Sequence, residues 1–463
     1  MRINLSLPLK AKDLKKVLRA DSSVPDETVF THLCSDSRIV QSGDLFIALK
    51  GLNFDGEDFT EDAIDKGAFV ISVFSGDRSF TVANTKEALF DLAHHVRNIL
   101  PNLKHVVAIT GSVGKSSAKE FLKSICSPFY KVHATEGNLN NHVGLPFTVL
   151  SAPRETEILI LEMGMNSEGE IKVLSKCAEP TISVITNVGS AHLGFLGSRE
   201  AIARAKSEII SGAKRSSPLI VDKEEPLLSN LPNLYTFSVS DLSADLTVLP
   251  IKEDIYGSHF DLIIDGNAIN NLFLCIPGRH LLSTLGAALA AAAKLGIKTA
   301  EDVKIGLNSI TPSSVRSGFI KFKDYTVFDD SYNASEESVL ADMRLFKFFP
   351  KESRAALLGD IYELGEKTEA IHEKIGFMAA KLGFCKLYLI GKYSFYYYRG
   401  ALKGGLAPSK IFINPDPFDQ NKTADHIQTH HSKNEVILFK GSHKARLHRV
   451  LEILKKKEGE TQE

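Results

Sequence analysis

The chain lacks an excess of either charge: 55 Lys and Arg stand against 56 Asp and Glu, a net charge of -1 at pH 7. That balance excludes a general attraction to nucleic acid or to acidic membrane surfaces, so any anionic ligand has to be held locally. Cysteine is scarce and scattered. Cys34, Cys126, Cys177, Cys275 and Cys385 are odd in number and free of C-x-x-C spacing, which argues against a disulfide framework or a zinc site and for free thiols in a reducing compartment. Long apolar runs are missing as well. MRINLSLPLKAKDLKK at the N-terminus holds no stretch suited to a signal peptide, and the small-residue run from Leu281 to Ala293 is too short to span a bilayer. These absences predict a cytoplasmic protein with no membrane span. No G-x-S-x-G elbow, H-E-x-x-H helix or Rossmann G-x-G-x-x-G supports a hydrolase, a zinc protease or a dehydrogenase, and no N-K-x-D supports a GTPase.

What is present is ordinary globular material, 43% hydrophobic and 24% charged, in 463 residues. At about 150 residues per domain that length predicts roughly three. Residues 1–102 mix short strands and helices, as in DLFIALKG followed by EDAIDKGA, and close at the break ILPNLKH. From 103 to 313 the apolar segments VVAIT, EILILEMG, TISVITNV and SPLIVD alternate with helical stretches, the pattern of a mostly parallel, doubly wound sheet. After ITPSSVRSG, residues 314–463 repeat the alternation with YTVFDDSY, AALLGD, KLYLIG and EVILFKG, which predicts a further Rossmann-like α/β domain. The tail LKKKEGETQE reads as a frayed, solvated helix end.

The densest chemical signal is VVAITGSVGKSSAKEFL. An apolar strand runs into a small-residue turn, and Lys115 and Ser116 open a helix whose core face is Phe121, Leu122 and Ile125. Gly111 and Gly114 allow backbone N–H groups to converge on phosphate oxygens at the positive end of that helix, making Thr110, Gly111, Ser112, Gly114, Lys115, Ser116 and Ser117 the candidate phosphate cradle. Lys115 would neutralise β/γ-phosphates, and Ser116 would ligate Mg²⁺. The match is to a short G-x-x-G-K-S form, because Ile109 stands where the longer pattern has its first glycine.

Other candidates are weaker taken singly. Glu162 ends the strand of ILILEMGMN, where a carboxylate could hold Mg²⁺ or be a plain surface residue. His192, in ITNVGSAHLGFLGS, could be a ligand or a hydrogen-bonded structural histidine. Lys206 lies on an amphipathic helix, where most lysines are simply solvated. Asp329 and Asp330 close another strand, and turn chemistry explains such a pair as readily as metal, ribose or acid–base roles. Arg316 in SVRSG, PGRH at 277–280 and FKGSHKARLHR from 439 could contact anions or be solvated or capping residues.

Taken in order, SDSRIVQSGDLFIALKGLNFDGEDF, AITGSVGKSSAKEFL, EGNLNNHVGLPFTVL, LEMGMNSEGEI, ITNVGSAHLGFLGS, AKSEII, IPGRH, DDSYNAS, LLGDIYELGE and FKGS resemble the Mur ligase family, the ATP-dependent ligases that build the peptide stem of bacterial cell-wall precursors. The resemblance implies three domains: one for the UDP end of the substrate, one for ATP and one that closes over the nucleotide. It implies that Ser37 and Arg38, with the loop at Asp55 and Gly56, serve the UDP-sugar. Lys115 and Ser116 take the ATP phosphates and Mg²⁺, Glu162 and His192 match metal positions, and Lys206 matches a lysine that is carbamylated in family members. Asn140 and Asn141 match a segment facing nucleotide and substrate. Arg316 and Asp330 match residues reaching the ATP phosphate and ribose, with Tyr332 and Asn333 beside the nucleotide. The substrates implied are a UDP-MurNAc-tripeptide, D-alanyl-D-alanine and ATP, on a monomeric enzyme that makes an acyl phosphate. Two family asparagines after PGRH are Leu281 and Thr284 here, so the adenine contacts of that helix are not carried over. A ligase adding a single amino acid and a nucleotide-binding relative without catalysis remain as alternatives.

Overall fold

The computed structural model describes residues 1–51, 53–189, 196–311 and 318–460. Alternating apolar strands and helices produce an α/β fold on three sheets, as the pattern of the sequence predicts. The first has five strands among the described residues, β1 (Arg2–Lys10), β2 (Val29–Cys34), β3 (Leu45–Ile47), β4 (Phe69–Ser72) and β5 (Ser79–Thr81), in the order β1-β2-β3-β4-β5. β1 is antiparallel to β2, and the rest are parallel, so the loops after β2, β3 and β4 emerge at one edge.

The second sheet comprises β6 (His105–Thr110), β7 (Val132–Ala134), β8 (Ile158–Glu162), β9 (Ile182–Ile185), β10 (Leu219–Asp222), β11 (Leu234–Ser238), β12 (Leu246–Asp254), β13 (Gly257–Ile264) and β14 (Asn267–Leu274). Its order is β14-β13-β12-β11-β10-β9-β6-β8-β7, parallel from β7 to β12, with β13 and β14 added as antiparallel hairpins. Strands buried on both faces need continuous apolar runs, and β8 and β9 are buried along their whole length. The switch of direction at β6 opens a crevice beyond its C-terminal end, where Gly111 follows Thr110.

β15 (Gly318–Lys321), β16 (Tyr325–Asp330), β17 (Arg354–Gly359), β18 (Lys386–Ile390), β19 (Ile411–Asn414) and β20 (Glu435–Lys440) form the third sheet, ordered β15-β16-β20-β17-β18-β19. All its pairings are parallel except β15 with β16, so Asp330 and Lys440 end side by side. The first two sheets share one continuous apolar core. The helix Thr85–Ile99 lies within it and ties the sheets further through Arg97, which donates to the carbonyls of Ala178 and Glu179 at 3.1 and 2.9 Å. No apolar cluster among the described residues joins the third sheet to the other two.

All five cysteines are free, three of them buried and two half-buried. The tail is a helix end as far as Glu460: the helix Leu447–Glu460 is held by Lys457 to Asp425 and by the Lys323 N–H donating to Glu458 at 2.5 Å, and residues 461–463 lie outside the described residues. Among the described residues no helix is long and apolar enough to cross a membrane. The apolar run from Leu281 instead lies in the helix Arg279–Lys294, buried against the second sheet.

Candidate active site

β6 delivers the phosphate-loop candidate to the switch point. Thr110, its last residue, donates from Oγ1 to the Met163 carbonyl at 2.9 Å. A Cβ on Gly111 would overlap Thr186 Oγ1, so only glycine lets the chain turn here. The loop is then laced to the segment after β9. The Ser112 hydroxyl accepts from the Gly189 N–H at 2.9 Å, the Val113 N–H donates to Asn187 Oδ1 at 3.0 Å, and the Val113 carbonyl accepts from Thr186 at 2.7 Å. Gly114, at φ +79°, starts the helix Lys115–Cys126, on which Phe121, Leu122 and Ile125 are fully buried as their spacing predicts. The Lys115 ammonium curls back over the turn, donating to the carbonyls of Gly111 at 2.7 Å and Ser112 at 3.3 Å. Ser117 sits half-buried one residue beyond Ser116.

Three predicted residues meet at one carboxylate. Glu162, 2% exposed at the end of β8, accepts from Ser116 Oγ at 2.8 Å on one oxygen and from Asn140 Nδ2 at 2.8 Å on the other. Its own N–H donates to Thr135 Oγ1 at 3.0 Å, and the Thr135 carbonyl accepts from the fully buried Lys119 at 2.5 Å. Thr135 and Lys119 are supports that the sequence reading missed; the charge of Lys119 on the helix face otherwise given to Phe121, Leu122 and Ile125 was the available signal. Asn141 does something different from its neighbour. Its Oδ1 accepts from the N–H groups of Val143 and Gly144 at 3.0 and 2.9 Å, which caps the helix Gly144–Leu150.

Lys206, on the helix Arg199–Ser207, is 1% exposed, and no carboxylate among the described residues pairs with it. Burial drives its amine well below the usual lysine range, and Lys115 nearby pushes in the same direction. His192 and Arg316 lie outside the described residues.

Asp329 and Asp330 prove to be unlike. Asp329 Oδ1 accepts the Ser331 N–H at 3.1 Å, a turn contact, whereas Asp330 pairs with the buried Lys440. The Tyr332 ring stands 5.4 Å from that of His443, and Asn333 is exposed. The third sheet reaches the second through the helix Arg279–Lys294 and through β12. His280 Nε2 lies 3.6 Å from Asp342 Oδ1, and Lys347 pairs with Glu253 at 3.0 Å. One turn along that helix, Thr284 Oγ1 abuts Gly114, at 2.8 Å from where a Cβ would stand. The two clusters are therefore roughly 6 Å apart along the helix axis.

At the edge of the first sheet, Arg38 is 85% exposed and forks onto Asp36, holding that carboxyl well below the usual range. The Ser37 carbonyl accepts from Lys66 at 2.8 Å. Asp55 accepts the Glu57 N–H at 3.2 Å and pairs with Lys50 at 3.0 Å, while a Cβ on Gly56 would collide with the Leu49 backbone. Phe54 and Phe74, in the loops after β3 and β4, are exposed at the same edge.

The family model for the Mur ligase middle domain matches residues 109–292, and that for the Mur ligase family, catalytic domain, matches residues 29–100. The UDP-N-acetylmuramoyl-tripeptide–D-alanyl-D-alanine ligase of Bacillus subtilis is 33% identical over 453 residues, 96% of this chain and 97% of that protein. MurF from Acinetobacter baumannii has a similar structure, with TM-score 0.85 and 28% identity over 97% of this chain and 99% of that one. MurF ligase from Thermotoga maritima, solved in complex with ADP, gives TM-score 0.79 and 29% identity over 93% of this chain and 98% of its own.

Proposed function

The chain belongs to the Mur ligase family, and from that premise we propose that it joins D-alanyl-D-alanine to UDP-N-acetylmuramoyl-tripeptide at the expense of ATP, in cytoplasmic peptidoglycan precursor synthesis. The likeness to a dipeptide-adding ligase along nearly the whole chain carries this reading, and the Ser116–Glu162–Asn140 cluster supplies its chemistry. We place domain boundaries at 102/103 and 313/314, giving Ser37, Arg38, Asp55 and Gly56 to the UDP end, with Phe54 and Phe74 as apolar surface for the base. Thr110, Gly111, Ser112, Gly114, Lys115, Ser116 and Ser117 take the ATP phosphates, and Asn140 faces nucleotide and substrate. Asp330, Tyr332 and Asn333 meet the nucleotide from the third sheet, with Arg316 as a further contact, and Asn141 holds the substrate-facing loop in shape.

The donor set fits Mg²⁺. A carboxylate and a hydroxyl are hard oxygen ligands, and among the described residues no trio of His, Cys, Asp or Glu gathers that would suit a softer ion. Ser116 and Glu162 would hold it, with His192 as the further ligand that the family resemblance implies. When bound, it offsets negative charge on phosphate oxygens and orients them. Lys206 fits carbamylation, because burial disfavours its charged form and the uncharged amine is what takes up carbon dioxide.

A carboxylate resists direct attack by an amine because its leaving group would be oxide. The tripeptide carboxylate instead attacks the γ-phosphorus and ADP departs, leaving an acyl phosphate. Lys115 leaves the Gly111 and Ser112 carbonyls to meet the phosphate and offset the charge that builds as two anions approach. Asn140 and Thr135 hold the Glu162 carboxylate in place throughout. The dipeptide amine then adds to the acyl carbon, loses a proton, and phosphate leaves with the C–O bonding pair. Closure of the third domain keeps water from the acyl phosphate.

Phosphate release measured with ATP, the UDP-tripeptide and a panel of amines tests the reading. Turnover is expected with D-alanyl-D-alanine and is lost in Lys115→Ala. Product from a diamino acid but none from D-alanyl-D-alanine, or undiminished turnover in the variant, rejects it.

A further inference from the structure

Where the third sheet meets the helix Arg279–Lys294, a buried charged cluster lies outside the reaction described above. Lys440 sends its ammonium to two carboxylates, Asp330 and Asp342, the latter at 2.9 Å. The side chains of Lys440 and Asp342 are each 2% exposed and that of Asp330 is 18% exposed. Asp342 projects from the helix Glu336–Leu345, and its Oδ1 faces His280 across the boundary between the sheets. One carboxylate would neutralise Lys440. A second, fully buried, adds a desolvation cost that packing alone would avoid with an apolar side chain. Burial pushes the Asp342 carboxyl well above its usual range, with Asp330 adding to the rise and Lys440 opposing it. Its Oδ2 makes no well-aligned hydrogen bond. The residue is thus costly where it stands, and its contacts run to the nucleotide side on one hand and to the helix abutting the phosphate loop on the other.

We propose that Asp342 is a positioning residue for ribose recognition: by sharing Lys440 it fixes the plane of the Asp330 carboxylate that meets the ribose hydroxyls, and through His280 it registers that plane against the helix abutting Gly114. The inference rests on the reading of Asp330 as the ribose contact. Without Asp342 the ammonium closes on Asp330 as a one-to-one pair and turns it. The geometry of a charged hydrogen bond is lost while the chemical steps, which occur at the phosphate end, are spared.

The test compares ATP with 2′-deoxy-ATP and 3′-deoxy-ATP in the full-length enzyme, with thermal melting to establish the fold of each variant. In Asp342→Asn, KM for ATP is expected to rise about tenfold with kcat within about twofold, the KM for the UDP-tripeptide unchanged, and the preference for ATP over the deoxy forms to fall about tenfold. Asp342→Glu, which keeps the charge but lengthens the arm, is expected to lose the same preference. Loss of preference in Asp330→Asn together with a wild-type preference in both Asp342 variants overturns the positioning role alone. A wild-type preference in Asp330→Asn overturns the ribose reading and the inference with it.

Discussion

At Lys206 burial and the neighbouring Lys115 both work against the ammonium, which favours the uncharged amine that the proposed carbamylation requires. Addition of carbon dioxide would form an N–C bond and release one proton, placing an anion beside a cationic loop. Labelled bicarbonate should therefore give a carbamate carbon resonance in the wild-type protein that is absent from Lys206→Met, with phosphate release falling by about two orders of magnitude. No carbamate signal in the wild type, or an undiminished one in the variant, contradicts the assignment. Sequence spacing alone could not single out this lysine, because its helix is amphipathic and burial depends on what packs from outside it. Glu162 was more legible, since strand ends in parallel sheets point to the crevice, but its two hydrogen-bond partners come from segments 46 and 22 residues away. Asn140 and Asn141 show the limit: adjacent and chemically identical, one reaches the carboxylate and the other caps a helix.

The strands announced themselves as apolar runs, and each such run named from the sequence is a strand of the fold. The hairpins of β13 and β14 were not legible, because half-exposed antiparallel strands lack a continuous apolar signal. Nor did the motif LLGDIYELGE reveal its work. Asp360 accepts the N–H groups of Lys392 and Tyr393 at 3.0 and 2.9 Å, and the next residue, Ile361, donates its N–H to His372 Nε2 at 3.1 Å. His372, on the helix Thr368–Lys381, gives its other nitrogen to the Thr368 carbonyl at 2.6 Å, so both bonds require a neutral ring. Burial lowers its pKa from 6.5 to about 4. Such a depressed histidine stabilises the fold fully above the unfolded value of 6.5, and the contribution drains away as pH falls toward 4. Urea unfolding at pH 7 and pH 5 should show the wild type losing about 2 kcal/mol more than His372→Gln over that interval. Parallel losses in the two proteins would assign the pH sensitivity elsewhere.

Across the whole molecule, the distribution of apolar contacts is uneven. One core is shared by the first two sheets, each of which also packs a cluster of its own, while the third shares none and meets the rest through contacts such as His280–Asp342 and Lys347–Glu253. Calorimetry should resolve two transitions, with the first two sheets melting together, and nucleotide should draw the transitions closer by bridging them. A single transition in the absence of nucleotide would mean that the charged bridges couple the parts more strongly than their number suggests. Three successive α/β segments were legible in the sequence, but which of them share a core was not, because the helix Thr85–Ile99 has the same amphipathic pattern whichever sheet covers it. The shared core also sets what can be exchanged between relatives. The third sheet can be transplanted by matching a few charged partners at its border, whereas a foreign first sheet would bring a mismatched half of a packed interior.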